Sequence, residues 1–360
     1  MAKVKNSHYV PRVYLKSWSK DNRIYTYDLF VPHKKSPLWK GNSTRFTSSE
    51  KYLYAYYDNN DLNDAFEDIF SKEIEGHYPK LLNKINAYEK LEHDDFEFIS
   101  KFVLSQYYRT MKGYKRLNDI VENSAPNIIE NLFDKLNSLD LKNEEELQQI
   151  NNKIEASKPD DSLIPLNLEL LPNDNHTSLL KFETMIGKNT WLEGLNYTIN
   201  RLYKRFDSKD WQIASAPKNS LLLTSDDPVI LIRRDKDGYG YFTNRGFKAE
   251  NSRVYFPLTP TKILLSKDRN EDSQTQYILL SKEDVDEINR LTVLNADLKV
   301  YGIEKDDKVI DYRTRIENEE LFKEIKNMRE QFHSNYENIE IPFIKMSHEN
   351  TLKFQNAKDI

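Results

Sequence analysis

The N-terminal and C-terminal parts of the chain contain short segments with the alternation or apolar runs of strands, whereas between them the apolar residues follow helical spacing. NRIYTYDLF (22–30) and LLLTSDDPVIL (221–231) have the alternation and apolar runs of strands. Apolar residues recur every three or four positions from about residue 61, from about 94 to 117 and over 176–206, which predicts helices. We therefore expect an α+β fold, with a mixed sheet formed by N-terminal and C-terminal strands and a large inserted helical region.

The order of these elements predicts one interrupted domain over residues 1–310, with the helical insertion at about 61–206. Residues 311–360 are expected to form a C-terminal helix and tail. A third helical region is predicted at about 125–157, where the chain becomes highly polar and then breaks. The segment SKEDVDEINRLTVLNA is expected to begin with a capping box between Ser281 and Asp284.

Composition and charge narrow the function classes. The 360 residues include no cysteine, which excludes thiol nucleophiles, zinc ribbons and iron–sulfur clusters. The net charge of −5 argues against a protein that coats DNA, but not against a nuclease. The sequence has no apolar run near the roughly 18 residues of a membrane span and no secretory signal, so we expect a cytoplasmic protein without a membrane partner. No Walker loop or GxGxxG motif is present, so no nucleotide or redox cofactor is indicated.

The segment NSHYVPRVYLKSW (6–18) holds the densest group of chemically capable residues. It is expected to be the first strand of the sheet, with Val13 and Leu15 in the core. Because Pro11 favours an extended conformation at the preceding residue, His8 could be held rigidly as a general base or metal ligand. The alternative is that His8 is a packed, hydrogen-bonded residue beside an early strand.

The segment TSDDP (224–228) lies between two apolar strands. Asp226 and Asp227 could ligate Mg²⁺, position a water molecule or accept a hydrogen bond from a ribose hydroxyl. The alternative is an ordinary turn, since Ser, Asp and Pro are common turn residues.

The segment SQYYRT (105–110) places Gln106 and Arg109 three residues apart on one predicted helix. An arginine behind an apolar run is costly to bury without an acidic partner or a phosphate. The alternative to phosphate binding is a structural ion pair with Glu67 or Glu75.

Taken together, these segments resemble the bacterial family called domain of unknown function 4238. The resemblance rests on the order of its recurring blocks, which are HYVPxxYL (8–15), a helix with spaced glutamates (67–85), QxxRT (106–110), TSDxPV (224–229) and FPLTP (256–260). It covers the chain from His8 to about Gly302. Asp227 departs from the pattern, because the family often has asparagine there. The polar insertion at about 140–175 lies outside the pattern.

The resemblance implies an antiphage defence effector that acts by abortive infection, because the family includes the Borvo defence proteins. It favours one composite site with catalytic residues His8, Gln106, Arg109 and Asp226. Substrate contacts are expected from Tyr9, Arg12 and Ser225. A divalent metal, Mg²⁺ or Mn²⁺, is expected at Asp226 and Glu67.

In this site His8 would act as base or ligand and Arg109 would hold a phosphate. The expected substrate is a nucleic acid or nucleotide, which would make the protein a metal-dependent nuclease or phosphohydrolase with a phage component as its trigger. The alternative is a non-enzymatic sensor or interaction module that binds a phage component. The sequence leaves the oligomeric state open.

Overall fold

The computed structural model describes most of the chain and leaves out several segments. The described residues are 6–58, 61–63, 65–120, 152, 166–174, 177–185, 188–204, 209–234, 240–242, 246–247, 249, 251–268, 277–331, 338–340, 344–347 and 352–354. The chain separates into two compact units, one made of Met1–Tyr114 with Thr198–Ser334 and the other of Lys115–Tyr197 with Asn335–Ile360. The third helical region predicted at about 125–157 lies outside the described residues, apart from residue 152.

The first half of the chain contains short strands followed by helices. Its elements are β1 (Asn6–His8), α1 (Arg12–Lys16), β2 (Arg23–Asp28), β3 (Phe30–Val31), β4 (Trp39–Ser43), β5 (Ser49–Lys51), β6 (Tyr56–Asp58), β7 (Asp61–Asn63), α2 (Ala65–Ile69), a π-helix (Phe70–Glu75), α3 (Tyr78–Asn86), α4 (His93–Arg109), β8 (Leu166–Asp174), β9 (Thr177–Met185) and α5 (Lys188–Asn200).

The second half is dominated by strands. Its elements are β10 (Lys209–Ser215), β11 (Thr224–Ser225), β12 (Ile230–Arg234), β13 (Gly240–Phe242), β14 (Ser252–Thr259), β15 (Lys262–Asp268), β16 (Tyr277–Leu279), α6 (Lys282–Asn295), β17 (Lys299–Gly302), α7 (Val309–Tyr312), β18 (Ile316–Glu317), α8 (Glu319–Gln331), β19 (Asn338–Glu340), β20 (Ile344–Ser347) and β21 (Leu352–Phe354).

The first unit is built on two larger sheets. One has six strands in the order β13-β12-β14-β15-β10-β16, and the other has four in the order β11-β17-β2-β4. In the smaller sheet β17 pairs antiparallel with β2, so a C-terminal strand completes an N-terminal sheet. The predicted fold class is therefore confirmed. The second unit holds a separate five-stranded sheet of β8, β9, β19, β20 and β21.

An aromatic core joins the N-terminal segment to the six-stranded sheet. The Tyr14 ring stacks on Phe256 at a centroid distance of 5.3 Å, and Tyr78 stacks on Phe102 at 4.6 Å. The Tyr14 hydroxyl donates to the carbonyl oxygen of Pro257 at 2.7 Å and lies 2.6 Å from the Thr224 hydroxyl. These bonds satisfy the one polar atom of a fully buried ring and fix α1 against β11 and β14.

The segment 6–18, expected to be the first strand of the sheet, is a strand only over residues 6–8, and the expectation is wrong for the rest. β1 ends at His8 and, among the described strands, pairs with β5 alone, and the helix α1 begins directly after Pro11. The carbonyl oxygen of Pro11 accepts from the amide of Leu15 at 2.9 Å, which closes the helical turn. Because helical neighbours can share a buried side, Tyr14 and Leu15 are both in the core, whereas Val13 is half-buried.

Two of the predicted helices have different bounds. Residues 177–185 form β9, which pairs with β8, so the helix expected over 176–206 begins only at Lys188. Leucines at every second position from 166 to 170 are typical of a strand, and the pairing of the two strands overrides the helical spacing. The helix expected from about 94 to 117 ends at Arg109, and residues 111–120 form a new helical segment after Thr110.

The capping box predicted at the start of α6 is confirmed. The Ser281 hydroxyl accepts from the Asp284 amide at 3.0 Å, and the Asp284 carboxylate accepts from the Ser281 amide at 2.9 Å. In the part of the chain that the structure describes, every helix is too short or too polar to cross a bilayer.

Candidate functional site

The end of β1 and the end of α4 meet at Arg109. One terminal nitrogen of Arg109, Nη2, donates to the carbonyl oxygen of His8 at 2.6 Å, and the other, Nη1, donates to Glu75 Oε1 at 3.1 Å. The arginine is 1% exposed, and its ion pair with Glu75 confirms the structural alternative to phosphate binding. This pair supplies the carboxylate that a buried guanidinium needs.

Aromatic rings enclose the same guanidinium. Its central carbon lies 4.0 Å from the centroid of Phe70 and 5.4 Å from that of Tyr54, and Nε donates to the Tyr54 hydroxyl at 3.3 Å. The Tyr54 hydroxyl in turn donates to the carbonyl oxygen of Arg109 at 2.8 Å. Burial acts to lower the pKa of Arg109, but Tyr54 and Glu75 more than offset it, so the pKa is raised and the charge is held.

A π-helix presents two of these contacts. Phe70 and Glu75 are its first and last residues, and it follows directly on α2. π-Helices are rare and often lie at functional sites, because their wider turn shifts side chains relative to an α-helix. Here the wider turn lets one short segment place an aromatic ring and a carboxylate on the same guanidinium.

The His8 imidazole is half-buried beside this cluster. Its Nε2 donates to the carbonyl oxygen of Thr44 at 3.3 Å, which leaves Nδ1 as the acceptor of the neutral ring. Burial lowers the pKa of His8, while the Thr44 bond and the charge of Glu75 partly oppose it. A pKa below its usual value keeps the imidazole neutral at pH 7, as a general base must be.

Asp226 follows β11 and is 2% exposed. Its two carboxylate oxygens accept from the main-chain amides of Asp297 and Leu298, each at 2.9 Å. Burial and the negative charge of Asp297 raise the pKa of Asp226 to about 7, against the opposing charge of Arg329. Arg329 itself bonds to Asp297 and to Glu50, each at 3.2 Å.

Asp227 is fully buried and binds the segment that follows Arg109. Its carboxylate accepts from the Thr110 hydroxyl at 3.1 Å and from the Asn295 side-chain amide at 3.0 Å, and Lys112 Nζ lies 3.6 Å away. Because Thr110 is next to Arg109, the QxxRT and TSDxPV segments are joined directly. The Lys112 ammonium balances the negative charge of Asp227, a charge that an asparagine at this position would lack.

Three further predicted site residues, Gln106, Tyr9 and Ser225, are all buried. Gln106 is fully buried; its Nε2 lies 3.4 Å from the Ser105 hydroxyl, and its Oε1 has no hydrogen-bond partner among the described residues. Tyr9 is 2% exposed, with Arg329 5.8 Å from its ring centroid. The Ser225 hydroxyl accepts from the Asp227 amide at 3.2 Å.

Arg12 and Glu67 lie near Arg109 and its partners. Arg12 is exposed on α1 and its charge acts on His8. Glu67 is half-buried, and its charge acts on Tyr54 and Arg109. Of the two predicted metal ligands, Glu67 therefore belongs to the Arg109 cluster, whereas both oxygens of Asp226 bind main-chain amides.

The structure thus forms two neighbouring clusters from the three motifs. We call them the Arg109 cluster (His8, Tyr54, Glu67, Phe70, Glu75, Arg109) and the Asp226 cluster (Asp226, Asp297, Arg329, Glu50). Within the described ranges, no three His, Asp or Glu side chains are placed to share one metal ion. Sequence reasoning missed Tyr54, Thr44, Asn295 and Arg329, because no local motif marks a residue whose role depends on a distant contact.

Comparison with known proteins identifies a family without assigning an activity. No curated protein and no solved structure matched the chain. One family model matches residues 6–306, which cover most of the chain, the whole Arg109 cluster and the Asp226 cluster apart from Arg329, and its description is "Protein of unknown function (DUF4238)". The chain therefore belongs to the DUF4238 family.

Proposed function

We propose that this protein is a bacterial antiphage effector of the Borvo type that acts by abortive infection. We further propose that it hydrolyses a phosphoester bond in a nucleic acid or nucleotide, with Mg²⁺ or Mn²⁺. The observation that carries the proposal is the half-buried, neutral His8 imidazole beside the ionised Arg109 and the partly exposed Glu75. A base, a fixed positive charge and a carboxylate on one face are what phosphoryl transfer to water requires.

Each residue has a defined part in the proposed reaction. His8 Nδ1 accepts a proton from a water molecule as the water oxygen bonds to phosphorus and the phosphoester bond breaks; the leaving oxygen takes a proton from solvent. Arg12, which is exposed, contacts the phosphate. Arg109 is too buried to touch substrate, so it acts as a positive charge that stabilises the developing negative charge from behind.

The carboxylates of Glu67 and Glu75 are our choice for binding the metal. Hard divalent cations prefer carboxylate oxygens, and bound Mg²⁺ usually completes its coordination with water and substrate phosphate. When bound, the metal supplies positive charge at the phosphoryl oxygens. Asp226 is assigned to loop positioning instead, because both of its oxygens accept main-chain hydrogen bonds and it is 2% exposed, whereas Glu75 is partly exposed and bonds to Arg109 through Oε1.

The test compares two histidine variants. Purified protein is incubated with single- and double-stranded DNA, RNA and nucleotides, with and without Mg²⁺ or Mn²⁺. We expect a metal-dependent product from the wild type and from His33→Ala, an exposed histidine, but not from His8→Ala. His8→Ala should lose about 1 kcal/mol of stability or less, since only one 3.3 Å side-chain bond is removed.

The same variants are tested in cells challenged with phage. We expect His8→Ala to lose protection and His33→Ala to keep it. If His8→Ala protects fully, or if the protective wild type gives no product on any substrate, the enzymatic part of the proposal is wrong.

A second candidate function is a non-enzymatic sensor or interaction module for a phage component. The observation that favours it is that Arg109, Asp226 and Asp227 are almost completely buried and bonded within the protein. Under this function His8→Ala lowers the melting temperature without silencing protection, and protection does not depend on metal. Escape phages would then carry changes in one phage protein that binds the purified chain.

A further inference from the structure

Lys262 is a buried lysine at one end of the six-stranded sheet. β10 and β15 pair so that Ser215 lies directly opposite Lys262, the first residue of β15. Lys262 is only 7% exposed. Lysine is almost never this buried unless an acidic group pairs with it.

The surroundings of the Lys262 ammonium contain hydroxyls and a ring instead of a carboxylate. Nζ lies 3.4 Å from the Ser215 hydroxyl and 3.9 Å from the ring centroid of Tyr88. Over the residues that the structure describes, no carboxylate lies within 4.0 Å of this nitrogen. The Tyr88 ring compensates part of the charge through a cation–π contact, which is weaker than an ion pair with a buried carboxylate.

Tyr88 is held over the ammonium in an unusual backbone conformation. It follows the end of α3 with φ +56°, in the left-handed region where helices usually place glycine. The amide of Glu89 donates to the carbonyl oxygen of Lys84 at 3.0 Å, which fixes this turn. Tyr88 is nevertheless 58% exposed as a residue, so its ring covers Lys262 while much of the side chain meets solvent.

A second tyrosine extends the aromatic surface. The centroids of Tyr88 and Tyr277 are 5.2 Å apart, and the Tyr277 hydroxyl donates to the carbonyl oxygen of Glu89 at 2.6 Å. The result is an exposed aromatic pair beside a buried ammonium and the Ser215 hydroxyl. The Tyr88 side chain lies over Lys262, and a small rotation of this exposed side chain would admit a ligand to the ammonium without unfolding the sheet.

We propose that Lys262, Ser215 and the Tyr88 hydroxyl bind the phosphate group of a phosphate monoester. The ammonium supplies three donors and each hydroxyl one, which matches the several acceptor oxygens and the double charge of a phosphate monoester better than a carboxylate. The Tyr88–Tyr277 pair offers a stacking surface to a base attached to that phosphate. This site is separate from the Arg109 cluster and does not depend on the proposed cleavage.

The test measures binding of inorganic phosphate, AMP and adenosine by calorimetry. We expect saturable binding of phosphate and AMP but not of adenosine, and a loss of about tenfold or more in Lys262→Met. The control is Lys218→Met, an exposed lysine in the turn that follows β10, which should bind like the wild type. Tighter binding of AMP than of phosphate would identify a nucleotide as the ligand, and equal binding would identify the phosphate alone.

Thermal unfolding separates a loss of phosphate binding in Lys262→Met from a loss of folding. In phosphate-free buffer Lys262→Met should melt at a higher temperature than the wild type, because it removes a buried charge without a counter-charge. Phosphate should raise the melting temperature of the wild type and of Lys218→Met but not of Lys262→Met. If Lys262→Met melts lower and phosphate shifts all three alike, or if wild type and Lys262→Met bind phosphate equally, Lys262 is a structural residue and the proposal fails.

Discussion

Arg109 and Asp226 are buried to nearly the same extent, yet the protein favours the charged form of the arginine and disfavours the charged form of the aspartate. Arg109 is 1% exposed and meets a carboxylate, a carbonyl oxygen and two aromatic rings. Asp226 is 2% exposed and meets two main-chain amides, while the nearby Asp297 carries a like charge. Burial alone therefore does not decide the charge of a motif residue: the pKa of Arg109 is raised and its charge is kept, whereas that of Asp226 rises to about 7 and its charge is disfavoured.

The largest expected effect is that of removing the Arg109 guanidinium. Arg109→Met leaves Glu75 without its partner and the carbonyl oxygen of His8 without a donor. Breaking a buried ion pair from one side costs about 3 to 5 kcal/mol of the free energy of unfolding. The exposed pair of Arg290 and Glu287 supplies the control, since Arg290→Met should cost about 1 kcal/mol or less. Urea unfolding measures both, and equal costs would mean that the Arg109 cluster adds nothing beyond a surface pair.

The next effect is the pH dependence of stability that the raised pKa of Asp226 produces. The pKa of Asp226 is about 7 in the folded state, above the ordinary 3.8 of the unfolded chain. Between these pH values the folded state binds the proton more tightly than the unfolded chain does. The contribution of Asp226 to the free energy of unfolding is therefore full below about pH 4 and is lost as the pH rises to about 7. The slope approaches about 1.4 kcal/mol per pH unit.

Asp226→Asn isolates that contribution. The free energy of unfolding of the wild type minus that of the variant should fall from pH 4 to pH 7 and then level off. Asp286→Asn, at an exposed carboxylate paired with Lys308, should give a difference without this fall. A wild-type advantage for Asp226 that grows with pH would show that the two main-chain donors outweigh burial and that the charged form is the favoured one.

Contacts between side chains of a particular chemistry can be predicted from the sequence, whereas contacts made by the main chain cannot. The pairing of Arg109 with Glu75 follows from the cost of burying a lone guanidinium. The strand patterns in the N-terminal and C-terminal parts of the chain predict that both contribute to one sheet, as β2 and β17 do. The main-chain amides that bind Asp226 could not be predicted, because every residue except proline has such a donor. Only the fold decides which amides converge on a carboxylate.

The errors in the predicted elements have the same origin. Alternation in YVPRVYL fits a strand, but the turn closed on the carbonyl oxygen of Pro11 starts a helix that buries both Tyr14 and Leu15. Residues 177–185 have apolar positions compatible with a helix, yet β8 pairs with them. The helix α1 is further held by the long-range bonds of Tyr14 to Thr224 and Pro257, and β9 by its pairing with β8; neither contact is visible in the local pattern.

The smallest effect concerns Thr110, which connects the two motif segments. Its hydroxyl donates to Asp227 at 3.1 Å and accepts from the Gly113 amide at 2.9 Å, at the break between α4 and the helical segment 111–120. Thr110→Val should cost about 1 to 2 kcal/mol in urea unfolding, because Asn295 still donates to the Asp227 carboxylate, and Thr110→Ser should restore most of it. Thr292→Val is the matched control: that hydroxyl donates to the Ile288 carbonyl oxygen within α6, so its loss should cost less. If Thr110→Val costs as little as Thr292→Val, the junction between the QxxRT and TSDxPV segments does not depend on this hydrogen bond, and the link must come from Asn295 and the packing around it.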